Sequence, residues 1–128
     1  MADNHTIFTQ QVTRIIAALH KAHPATAPIK ISVAHGGVLE GEPEQIEITA
    51  SLCAGTIRWL YQNGIIDGAI NANGYMPEAQ LSARGYGVAR QQDRTTGTYL
   101  GAAAERAAET NDARELGIVG ERILAAIL

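Results

Sequence analysis

The chain has little of what most specialised classes of protein depend on. It carries a single cysteine, Cys53, so no disulfide framework can form within it, and the residue reads as a buried thiol suited to a reducing cytoplasm. No His or cation stands beside it in sequence to activate the sulfur. Aromatic residues are 5% of the chain, with one Phe and one Trp. A core must therefore come from Ile, Leu, Val and Ala. No apolar run approaches the roughly 18 residues that cross a bilayer, and MADNHTIFTQQ lacks the charged-then-apolar order of a secretory leader. A cationic excess is missing as well: net charge is −3 over 128 residues. Dedicated nucleic-acid binders tend to be basic, because affinity comes largely from neutralised phosphates.

Catalytic patterns are equally scarce. His35-Gly36-Gly37 has the letters of an esterase oxyanion loop, but no Gly-x-Ser-x-Gly accompanies it. No Gly-Lys-Ser/Thr phosphate loop occurs. His20 and His23 lie three apart and share a helical face, yet no third ligand is near in sequence, and a solvated last turn suits them better. No paired acids, triad or metal-ligand spacing converges anywhere. The expectation is a protein that is not an enzyme and needs no cofactor and no metal.

What is present is periodicity. Phe8, Val12, Ile15, Ile16 and Leu19 recur at helical spacing, predicting a helix capped by Thr6 and running to about Ala22. His23-Pro24 ends it. Ile29 to Val33 alternates apolar and polar residues, as a half-buried strand does. Gly36, Gly37, Gly41 and Pro43 mark a loop, after which only about Pro43 to Ile48 reads as helical. A longer helix follows from about Ala50 to Asn63, with Cys53, Ile57 and Leu60 on its inner stripe. Gly64 stops it. Ile65 to Ile70 and Met76 to Leu81 read as two strands joined at Asn73-Gly74, a pair that favours a type I′ hairpin turn. Ser82 caps a short helix carrying Tyr86 and Val88.

After the polar stretch QQDRTTGT come an alanine-rich helix, Leu100 to Thr110, and a last helix. In that last helix Leu116, Val119, Ile123 and Ile127 form an apolar stripe. The stripe must be covered, either by folding back or by a second copy of the chain; a homodimer is the favoured expectation. The predicted organisation is residues 1–92 as one domain and 93–128 as a helical extension that docks or dimerises.

Helix, Gly64-Ile65-Ile66, strand, turn, strand, then Leu81-Ser82-x-x-Gly85 resembles the MarR-type winged-helix proteins. It resembles still more the small, often phage-derived winged-helix proteins of the YjcQ type. The resemblance covers about a third of the chain. It implies an α+β, mostly helical fold: a winged helix-turn-helix with a small antiparallel sheet, plus the C-terminal helical extension. It also implies a transcription-regulating role on double-stranded DNA. On that reading Ser51, Arg58 and Gln62 on the recognition helix, and Asn71, Asn73, Arg84 and Arg90 around the wing, are the nucleic-acid-binding residues. Arginines would meet phosphates and amides would meet bases.

Two features depart from that pattern. Residues 46–92 hold three acids and three bases, and Glu42, Glu44 and Glu47 stand where a phosphate backbone would pass. Trp59 occupies the outward face where a cation is expected; Trp and Arg are favoured anchors for protein partners. The alternative function is therefore a protein-interaction module that reuses the winged helix, with Trp59, Leu116, Val119, Ile123 and Ile127 as partner-binding residues. Packing of Trp59 beneath a terminal helix is the plainer reading of that residue.

Overall fold

The structure, a computed structural model, describes residues 3–128. Among them are six helices and three short strands. In chain order these are α1 (Asn4–Ala22), β1 (Ala27–Ile29), α2 (Ile31–His35), α3 (Pro43–Gln62), β2 (Ile66–Asp67), β3 (Met76–Leu81), α4 (Ala83–Ala89), α5 (Leu100–Thr110) and α6 (Ala113–Ile127). The strands form an antiparallel sheet of order β1-β3-β2. The fold is α+β and mostly helical. No helix among the described residues is long and apolar enough to cross a membrane.

α1 is the central element, because its apolar residues face several directions at once. Val12, Ile15, Ile16 and Leu19 are fully or almost fully buried. α5 and α6 lie along one side of it, and α2, α3 and the sheet lie against others. Its amino end begins earlier than Thr6. The cap is Asp3, whose carboxylate accepts the Thr6 amide at 2.8 Å. That hydrogen bond holds the Asp3 carboxyl below the usual carboxylate range.

The last two helices belong to the same core as the first 92 residues. Leu116, Val119, Ile123 and Ile127 are all buried and sit in one hydrophobic cluster with Val12, Ile16 and Ile57. A polar bond supports the seam: the buried Thr13 hydroxyl donates to the Leu116 carbonyl at 2.7 Å, which gives that hydroxyl a partner across the two helices. The stripe offered by the sequence for a second copy is thus used up inside the chain.

Three elements differ from their expected form. The alternation from Ile29 to Val33 is not one strand. β1 ends at Ile29, and Ile31 to His35 turn into α2. Gly36 closes that helix in the left-handed region, with its amide donating to the Ser32 carbonyl at 2.9 Å. The helical pieces from Pro43 and from Ala50 are one continuous helix of 20 residues, which Pro43 starts at a position where a missing amide costs nothing. The hairpin turn is not type I′, since Asn73 does not have positive φ. Instead the Gly74 amide donates to the Asn71 carbonyl at 2.9 Å, and Gly74 alone takes a left-handed φ of 87°. Strand pairing of β2 is confined to Ile66 and Asp67 opposite Leu81 and Gln80, so residues 68–75 form a broad loop.

Candidate interaction surface

The outward side of α3 and the loop after β2 carry most of the residues singled out in the sequence. Ser51, Gln62, Asn71 and Asn73 are exposed. Asn73 also serves its own loop, its side-chain oxygen accepting the Tyr75 amide at 3.1 Å, as Asn commonly does in turns.

The arginines are held by the chain itself. Arg58 donates to the Ala72 carbonyl at 2.6 Å, so it braces the loop against α3. Arg84 donates to the carbonyls of Asn63 at 2.6 Å and Ile127 at 2.8 Å. Both acceptors lie at helix ends, where carbonyls lack intrahelical partners, and a cation there also meets the negative end of the dipole. Arg90 lies 3.8 Å above the centre of the Tyr99 ring, a cation–π arrangement. Arg84 and Arg90 therefore act as internal ties in this structure, not as a basic stripe beside the loop.

Trp59 follows the plainer expectation in part. It is half-buried and packs edge-on to Phe8 of α1, with ring centres 5.2 Å apart and planes at 86°. Its remaining surface lines a groove between α1 and α3 of about 300 Å³. Ile7 and Phe8 supply one wall; Leu52 and Trp59 supply the other, with Gly55 between them. Leu116, Val119, Ile123 and Ile127, by contrast, are buried core residues.

Beneath the groove lies a small buried polar network. Gln11 is 2% exposed and joins α1 to α3, donating from Nε2 to the Cys53 sulfur at 3.3 Å and accepting the Thr56 hydroxyl at 2.5 Å. Burial pushes the Cys53 thiol up to about 11, against a smaller opposing pull from the nearby Arg14 cation. At neutral pH the sulfur is a thiol, and it is packed, not poised to react. Arg14 itself loses basicity through burial. Its guanidinium lies under Gly36, where any side chain would strike it.

His20 and His23 do not converge. His20 Nδ1 sits 2.5 Å from a Glu105 oxygen, and His23 stacks on the Tyr86 ring at 4.2 Å. Among the described residues no group of three or more His, Cys, Asp or Glu is arranged to hold a metal ion.

The sequence reading did not identify Ile7, Phe8, Leu52 and Gly55 as one surface. Part of the signal is in the spacing. Glu44, Ile48, Leu52, Gly55 and Trp59 recur every three or four residues and share one face of α3. A glycine inside an exposed helix face costs about 1 kcal/mol relative to alanine. At Gly55 no internal packing explains that cost, because a Cβ there would meet nothing within 4 Å.

Comparison with family models, with curated proteins and with solved structures finds no match to this chain.

Proposed function

We propose that this chain is a winged helix-turn-helix module that works by binding another protein, without catalysis. Support for the winged helix comes from the order of parts: α1, β1, α2, α3, then the β2-β3 pair, with β1 against β3. On this reading α2 is a shortened second helix, α3 stands in the recognition position, and residues 68–75 are the wing. Fold alone does not fix function, so the choice of partner rests on the surface.

The observation that carries the choice is the state of the cations. Arg58, Arg84 and Arg90 are each occupied by their own chain. Glu42, Glu44 and Glu47 are exposed at the start of α3, where a duplex backbone would lie. Phosphate neutralisation supplies much of duplex affinity, and this surface has little to offer it.

DNA regulation is the second reading, favoured by the exposure of Ser51, Gln62, Asn71 and Asn73 on one side. Anisotropy of a labelled mixed-sequence duplex at ~20 mM salt, where charges are weakly screened, separates the two. The protein-binding reading expects no change in anisotropy. A rise that disappears steeply with added salt would replace it with the DNA reading.

A further inference from the structure

We propose that the groove between α1 and α3 is the docking site for one amphipathic helix of a partner protein. That helix is apolar on the face entering the groove and basic where it reaches the start of α3. The proposal rests on the protein-binding reading above and gives that reading a site and a partner chemistry.

The groove is built from side chains that the fold does not need to leave open. Ile7, Phe8, Leu52 and Trp59 line it, and Ile48, one turn before Leu52, is 50% exposed. Gly55, between Leu52 and Trp59 on that exposed side, is not required to be small by any neighbour. Some helical glycines have internal reasons: a Cβ at Gly85 would strike the Ile65 carbonyl, and one at Gly120 would strike that of Thr9; Gly55, like Gly87, has none. An exposed glycine beside the apolar Leu52 and Trp59 leaves room for a backbone arriving from outside.

Shape and charge narrow the occupant. The stripe from Glu44 to Trp59 is about 22 Å long at helical rise, a match for roughly four turns of helix lying in a groove. Glu42, Glu44 and Glu47 are exposed at its leading end, and no Lys or Arg occurs from Gly36 to Ile57. An occupant that extends past Ile48 meets these exposed acids, so a basic end there is complementary. A folded second copy has no free helix of this kind, since the apolar stripes of α1, α5 and α6 are buried in its own core. Duplex DNA would meet the same acids with phosphates.

Trp59 is the chain's single tryptophan, so its emission reports the groove directly. The probes are a leucine/lysine amphipathic helical peptide of about four turns and its leucine/glutamate counterpart with the same apolar face. The lysine peptide is expected to bind with a blue shift of Trp59 emission, and the glutamate peptide about tenfold or more weaker. Gly55→Leu, which fills the groove, is expected to weaken the lysine peptide about tenfold or more while the thermal midpoint is kept. Should Gly55→Leu fail to fold, Gly55→Ala fits the open space and is expected to weaken binding severalfold. Equal binding of the two peptides, or binding of neither, overturns the proposal. Lysine-peptide binding that survives the Gly55 variants overturns this site but leaves the protein-binding reading standing. A duplex that shifts Trp59 in place of the peptides overturns both.

Discussion

Gly120 rests against the main-chain carbonyl of Thr9, so closely that a Cβ at position 120 would overlap that oxygen. The contact sets how near α6 lies to α1, and with it the depth at which Leu116 and Ile123 enter the core. Gly120→Ala gains helix propensity of up to about 1 kcal/mol. It must also push two backbones apart, and overpacking of this kind costs about 1–3 kcal/mol. The net expectation is a loss of about 1–2 kcal/mol, read as a lower denaturant midpoint with an unchanged slope. A variant as stable as the parent would mean that α6 is not seated against α1 in this way.

Arg84 joins the ends of two helices that are distant in sequence, through the carbonyls of Asn63 and Ile127. Arg84→Ala removes both bonds from an exposed site, so water recovers part of the loss. The expectation is a loss of about 1 kcal/mol and faster amide exchange at the end of α6. Arg84→Lys should recover little, because one ammonium cannot reproduce the planar fork. If Arg84 instead served a phosphate, Ala and Lys variants would leave stability unchanged.

The helical stripes were legible because each is buried by the chain's own fold, and burial imposes a period. Val12, Ile15, Ile16 and Leu19 read correctly for that reason, as did Leu116, Val119, Ile123 and Ile127, although the latter close on α1 instead of a second copy. Pro43 to Ile48 read as helix, but its continuity with the helix from Ala50 was not legible. Residues 44–50 bury little, so no apolar period marks them, and the helix continues because Pro43 starts it and Cys53 onward anchors it. Ile31-Ser32-Val33 alternates as a strand would, but five residues are too few to separate the two periods. The deciding features are the left-handed Gly36 and the Arg14 guanidinium beneath it, the latter supplied by α1 from a distant part of the sequence. Asn73-Gly74 suggested a tight hairpin, whereas the turn actually made spans Asn71 to Gly74. The groove was hidden because its two walls meet only when α1 packs across α3, with Phe8 against Trp59.

Cys53 offers a pH test with a defined sign. Its thiol is raised to about 11 in the folded chain, against about 8.5 for an exposed cysteine. The folded state therefore favours the protonated form. This contribution is fully present below about pH 8.5 and is lost as pH rises through 11. Denaturation midpoints should fall across that interval, and Cys53→Ala should flatten the decline. Thiol reagents should label Cys53 at pH 8 only as fast as the chain opens; prompt labelling of the folded protein would contradict its burial.

The most direct measurement is an amide NMR titration of the labelled chain, with a mixed-sequence duplex and then with the leucine/lysine helical peptide. The account predicts peptide-induced shifts along Asn4 to Gln11 and Glu44 to Trp59, and no shifts with the duplex. Shifts at Gln62 and Asn71 to Tyr75 on adding duplex, with the α1–α3 groove silent to peptide, would contradict it.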